Sequence, residues 1–62
     1  KMNNLQRIMD KQNINDHELY EKSGVHFNVI KLIRTGQRKT PRFSTLRKLA
    51  KALGCTAREI GG

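Results

Sequence analysis

Residues 15–36 constrain the fold of this chain more than any other stretch. Asn15 stands three residues before Glu18, which is the spacing of a capping box at the start of a helix. Gly24 interrupts this helix, and a second one follows with two isoleucines three residues apart on one face. Gly36 suits the left-handed conformation that ends a helix. The stretch therefore predicts two short helices joined by a tight turn.

The remaining segments extend this prediction to five helices. They are expected at about residues 3–12, from just after Asn15 to 23, at 27–35, at 44–53, and after a second capping box at 56–59. Their inward faces are expected to supply the core residues Met2, Leu5, Ile8, Met9, Gln12, Ile14, Leu19, Ile30, Ile33, Leu46, Leu49, Ala50, Leu53 and Ile60. The sequence thus predicts an all-α protein in which residues 1–62 form a single domain.

Several classes of protein are disfavoured by what the sequence contains. Cys55 is the sole cysteine, so neither an internal disulfide nor a cysteine zinc site is expected, and Cys55 should fill a small core position. No apolar run approaches the roughly 18 residues of a membrane helix, and no secretion signal is expected. We find no nucleophile with a base, metal cluster or phosphate-binding glycine loop. We therefore expect no enzyme, metal, cofactor, small-molecule substrate or membrane contact, and a cytoplasmic location.

The charge distribution points to a polyanionic partner. The net charge is +8, and residues 22–58 contain ten basic side chains and no acid. A field of one sign at this density favours a polyanion, the alternative being a solvated surface. Two helices joined by a tight turn can place the second in a DNA major groove, so the two features together favour double-stranded DNA.

The residues also fit a known family in order and spacing. They are Leu19, Gly24-Val25, Ile30, Ile33 and Gly36, then Pro41-Arg42-Phe43, Thr45-Leu46, Leu49-Ala50 and Leu53-Gly54, and finally Thr56 and Glu59-Ile60. Over about residues 3–60 the chain resembles the DNA-binding domain of the lambda-type phage repressor and Cro family. The resemblance implies a compact five-helix, lambda-repressor-like domain whose second and third helices form a helix-turn-helix.

Four residues of the third helix are candidates for reading bases. Asn28 lies at the end of the helix that would face the groove, and an asparagine amide pairs bidentately with adenine. Lys31 faces outward toward a guanine edge or a phosphate, and solvation is the alternative. The resemblance places Phe27 and Leu32 against bases, where apolar side chains suit thymine methyl groups. The alternatives are packing of Phe27 on the second helix, or a protein-binding surface that includes both.

Six residues are candidates for the DNA backbone, mostly through the resemblance: Asp16, His26, Arg38, Lys39, Arg42 and, through its backbone amide, Phe43. Such contacts set register and affinity rather than sequence choice. The further cations Arg47, Lys48 and Lys51 are expected to be a solvated face.

Two positions depart from the family pattern. Tyr20 replaces a small residue after the helix 2 leucine, so either local repacking or an outward tyrosine is expected. Asp16 replaces a neutral polar residue that touches a phosphate. Its carboxylate would repel a phosphate unless a water, a cation or a basic side chain intervenes. The substitution Asp16→Gln is accordingly expected to weaken the helix slightly and to tighten DNA binding.

The function that these observations predict is a sequence-specific regulator, a repressor of phage, prophage or bacterial genes. It would act as a homodimer on a pseudo-palindromic operator in the bacterial nucleoid, blocking polymerase by occupancy. The alternative is a protein-interaction module of the antitoxin or adaptor type that keeps the fold and uses the third helix on a protein.

Overall fold

A computed structural model describes residues 4–38 and 41–61, and the described part of the chain contains five α-helices and no strand. The helices are α1 Asn4–Gln12, α2 Asp16–Ser23, α3 Phe27–Arg34, α4 Phe43–Leu53 and α5 Ala57–Gly61. The predicted all-α, five-helix fold is confirmed. None of these helices is long and apolar enough to cross a membrane.

The predicted boundaries are accurate to about one residue. Both capping boxes form: Asn15 and Glu18 exchange side-chain-to-backbone hydrogen bonds of 3.0 and 2.8 Å, and Thr56 and Glu59 do the same at 2.7 and 3.2 Å. The third helix was expected to reach residue 35 and the fourth to begin at 44. Instead α3 ends one residue earlier, and α4 begins one residue earlier, directly after its N-cap Arg42.

The turn between α2 and α3 is closed by local hydrogen bonds. Gly24 has φ +78°, a conformation that a side chain disfavours, and its N–H donates to the Tyr20 carbonyl at 2.8 Å. The Ser23 hydroxyl donates to the Leu19 carbonyl at 2.6 Å and accepts from the Val25 N–H at 3.0 Å. These contacts hold α3 at a defined angle to α2.

The core lies where all five helices meet. Its buried members are Leu5, Met9, Leu19, Val25, Ile30, Ile33, Leu46, Leu49, Ala50, Leu53 and Ile60. Ile8, Ile14 and Cys55 pack against it half-buried. Met2 lies outside the described residues. Gln12 is exposed rather than buried, although its amide donates to the Leu53 carbonyl at 2.6 Å and so ties α1 to α4.

Candidate nucleic-acid interface

Helix α3 turns one face to the core and the other to solvent. Ile30 and Ile33 are buried, whereas Asn28 and Lys31 are exposed. Phe27 and Leu32 are half-buried, between these two extremes. The helix packs on α1 and α2, and none of the other described helices covers its outer face. This outer face can meet a groove or a protein.

The Asn28 side chain is not engaged within the domain. Its backbone N–H donates to His26 Nδ1 at 3.1 Å, but its side-chain amide forms no hydrogen bond with residues 4–38 or 41–61. An exposed amide with both a donor and an acceptor available is what bidentate pairing with an adenine edge requires.

Four aromatic rings cluster where α2 meets the start of α3. Phe27 lies with its ring centroid 4.1 Å from His26, 5.0 Å from His17 and 5.9 Å from Tyr20, and the Tyr20 and His26 centroids are 5.3 Å apart. Separations of this size are typical of favourable ring contacts. Phe27 therefore packs on α2, the alternative considered from the sequence, and Tyr20 points outward with 36% of its surface exposed.

Sequence reasoning did not find His17 and Tyr20 as parts of this cluster. Their separation of three residues on a helix puts them on one face of α2. Their contact with Phe27 depends on the angle between α2 and α3. Residue spacing within one helix does not predict that angle.

His26 acts as a cap and offers a donor. While Nδ1 accepts the Asn28 N–H, the ring N–H available to a partner is the one on Nε2. The side chain is exposed, so the Nε2–H is a donor for an anion at the N-terminus of α3. An imidazole is a poorer N-cap than the hydroxyl group of serine or threonine.

A bidentate ion pair joins the end of α3 to the start of α2. Arg34 Nε donates to Asp16 Oδ1 at 2.8 Å and Nη2 donates to Oδ2 at 2.9 Å. Arg34 Nη1 also donates to Gln6 Oε1 at 3.1 Å, and the Gln6 amide donates to Asp10 at 2.8 Å. The hydrogen bond to Asp16 raises the pKa of Arg34 above its ordinary value. The network fastens α1, α2 and α3 together through polar side chains.

The Arg34 contact changes the expectation for Asp16. The two side chains are equally exposed, at 25% each, so the pair stabilises the fold by about 1 kcal/mol or less. Its larger consequence is electrostatic, because the guanidinium neutralises a carboxylate that would otherwise repel a phosphate at this helix end. A basic side chain therefore intervenes at Asp16, as the sequence reasoning had allowed without identifying it.

Four of the residues expected to contact the DNA backbone lie before α4 in the sequence or at its start. They are Arg38, Lys39, Arg42 and Phe43. Arg38 and Arg42 are exposed, and the Arg38 N–H donates to the Leu32 carbonyl at 2.9 Å, which folds the loop back on α3. Arg42 makes no side-chain cap, and no side chain within residues 4–38 or 41–61 caps the first backbone donors of α4, including that of Phe43. Lys39 lies outside the described residues.

The charge of this surface is unbalanced. Among residues 4–38 and 41–61, Arg34 and Asp16 form the one ion pair, so the other described cations are not neutralised by a contacting carboxylate. The same residues contain no group of three side chains suited to hold a metal ion. The arrangement offers an uncovered helix face with polar and apolar side chains, flanked by exposed cations.

Comparison with known proteins gives one match. A family model described as the Cro/C1-type HTH DNA-binding domain matches residues 4–61, which is nearly the whole chain. No curated protein and no solved structure matches it significantly.

Proposed function

Because the chain belongs to the Cro/C1-type helix-turn-helix DNA-binding domains, we propose that it reads a specific sequence in double-stranded DNA and represses phage, prophage or bacterial genes. The observation that carries the proposal is the outer face of α3. It presents an exposed Asn28 amide that no described residue engages, on a chain with a net charge of +8. The family is defined by DNA binding, which weighs against a protein-interaction module as the primary role.

Different side chains are proposed to contact the bases and the DNA backbone. Asn28 pairs with an adenine, and Lys31 reaches a guanine edge or a phosphate. Leu32, together with the part of the Phe27 ring that α2 leaves exposed, contacts thymine methyl groups. The backbone contacts come from His26 Nε2–H, Arg38, Lys39, Arg42 and the Phe43 amide. Asp16 meets the backbone only through Arg34.

The regulator is proposed to act as a homodimer in the bacterial cytoplasm. Residues 1–62 serve as one DNA-binding unit, and two copies place their α3 helices in successive major grooves. Half-sites of a pseudo-palindromic operator would then be centred about 34–36 Å apart, one helical turn of DNA. Occupancy of the operator blocks polymerase, and no chemical step, metal or cofactor is involved.

Selection from a random duplex library tests both specificity and assembly. The protein is expected to enrich a two-fold motif whose halves are separated by about 10 base pairs, centre to centre. Enrichment of a single half-site would remove the dimer from the proposal. Recovery of unenriched sequences, with retention that depends only on salt, would show that binding is not sequence-specific.

Removing either member of the Arg34–Asp16 pair is expected to change DNA affinity in opposite directions. Arg34→Gln removes the guanidinium that neutralises the Asp16 carboxylate, so this carboxylate repels the nearby phosphate. Binding to every duplex is expected to weaken about fivefold. Asp16→Asn removes the repelling charge and releases Arg34, so binding is expected to tighten. Both variants are expected to lose up to about 1 kcal/mol of stability, because each loses the pair. Fluorescence anisotropy and thermal unfolding measure the two effects.

The double variant Asp16→Asn, Arg34→Gln is the control for this pair. It lacks both the acid and its partner, so its DNA affinity should return close to that of the parent. If the two single variants instead weaken binding equally, the pair acts only by holding α2 and α3 together. The α2 N-terminus would then not face the DNA backbone.

A further inference from the structure

A groove open to solvent runs along α4 and the turn into α5, apart from α3. It has a volume of about 550 Å³. Its exposed lining residues, which we call the rim, are Ser44, Arg47, Lys48 and Lys51, and its buried or half-buried ones, which we call the floor, are Ala50, Cys55 and Ala57. We refer to these seven residues as the α4 groove.

The rim of the α4 groove is a concentration of unpaired positive charge. All three of its cations are exposed, and none of them forms an ion pair with any residue that the structure describes. Arg47 lies 5.9 Å from the centre of the Phe43 ring, which is its one aromatic contact given by the structure. The carboxylate of Glu59, near the floor, accepts the Thr56 backbone N–H in a capping box and forms no ion pair with the rim. The rim therefore attracts an acidic partner.

The floor of the α4 groove is apolar. Ala50 is buried and Ala57 is half-buried. Burial, together with the negative charge of Glu59, raises the pKa of the Cys55 thiol above its ordinary value, so it stays protonated and uncharged at neutral pH. A protonated thiol packs as a small apolar group. An occupant thus gains from placing apolar side chains here as well as from charge.

The groove begins next to Phe43, where Ser44 lines it and Arg47 contacts the Phe43 ring, and it extends to Lys51 in the last turn of α4. Lys51 follows Phe43 by eight residues, which is about 12 Å along the helix axis. Helix α4 packs on α1, α2 and α5, whereas α3 packs on α1 and α2. A phosphodiester backbone also gains nothing from an apolar floor. We propose that the α4 groove docks an acidic, amphipathic segment of a partner protein, with its carboxylates on the rim and small apolar side chains on the floor.

A second copy of this chain is a poorer occupant. Each copy carries a net charge of +8, so pairing that brings the rim against another copy is opposed by repulsion. A protein segment with several carboxylates has the complementary charge, and the docking would let a regulator bound to DNA hold a second protein.

The first test uses a labelled synthetic peptide that alternates glutamate and leucine. Lys51→Glu is compared with Lys22→Glu, since both lysines are exposed, both lie in the last turn of a helix and Lys22 is not in the groove. Lys51→Glu is expected to weaken peptide binding at least about fivefold and Lys22→Glu much less. Equal losses of peptide affinity in the two variants would mean that binding depends only on the net charge of the protein, and would overturn the proposal.

A glutamate–serine peptide of the same length separates charge from apolar contact. It is expected to bind more weakly than the glutamate–leucine peptide, since it leaves the floor uncovered. Equal affinity would contradict the role given to the floor. Thermal unfolding of both lysine variants shows whether each is folded, and Lys51→Gln replaces Lys51→Glu if the reversed charge unfolds α4.

The second test uses Cys55 as a reporter, because it is the chain's one cysteine and lies in the floor. Saturating glutamate–leucine peptide is expected to slow the reaction of this thiol with N-ethylmaleimide several-fold. An unchanged rate would show that the peptide binds elsewhere.

The same assay distinguishes the other possible occupants of the groove. Protection of Cys55 by duplex DNA without protection by the peptide would assign the groove to DNA. Protection that rises with protein concentration alone would assign it to a second copy. Each of these results overturns the proposal.

Discussion

Leu49→Ala is expected to lower the free energy of unfolding by about 2–5 kcal/mol. Leu49 lies in the middle of α4 with no exposed surface, among the residues that bring α4 against its neighbours. Truncation removes buried apolar contacts and leaves a cavity that a small core cannot fill by relaxing. For a domain of this size the thermal midpoint should fall by at least about 8 °C. Circular dichroism during heating measures this change.

Lys48→Ala is the matched control for Leu49→Ala. Lys48 is the adjacent residue on the same helix, is exposed and makes no ion pair with a described residue. Its removal is expected to change stability by no more than about 0.5 kcal/mol. A midpoint that stays constant in Leu49→Ala would be incompatible with the observed orientation of α4.

Asn28→Ala is expected to cost about 1–3 kcal/mol of binding free energy on the preferred duplex and to relax the preference at one base pair. The reason is that the Asn28 amide has no partner among the described residues and is left for a base. Anisotropy titrations of a panel of duplexes, each with one altered base pair, measure both effects.

Arg42→Ala provides the contrast, because it is proposed to contact the backbone. It is expected to weaken all duplexes about equally and to reduce the slope of affinity against salt by about one unit. The same is expected of Lys39→Ala. If Asn28→Ala binds the preferred duplex as well as the parent does, α3 is not the element that reads the sequence.

Local patterns predicted the helices well because the interactions that start and end them are local. The capping boxes at Asn15 and Thr56 each join residues three positions apart, and Gly24 ends α2 with a backbone hydrogen bond to a residue four positions earlier. The core residues Leu46, Leu49 and Leu53 follow from helical spacing alone. Such features depend on neighbours along the chain, so one sequence contains enough information to predict them.

Interactions across the fold were not predictable in this way. Helical spacing places Arg34 on the same side of α3 as Ile30, yet its partner Asp16 is 18 residues away and belongs to a different helix. The Gln12 amide meets the Leu53 carbonyl across 41 residues. Spacing on one helix says which side chains share a face. It does not say which face of another helix they will meet.

The sequence by itself determined the number of helices, their approximate ends, most of the core residues and the concentration of positive charge, because these depend on short-range bonding and composition. Only the tertiary structure decided that Arg34 neutralises Asp16, that Phe27 packs with His17 and Tyr20, and that the cations of α4 surround an apolar floor. Those outcomes depend on the angles at which helices pack, and packing angles are set by the whole core together.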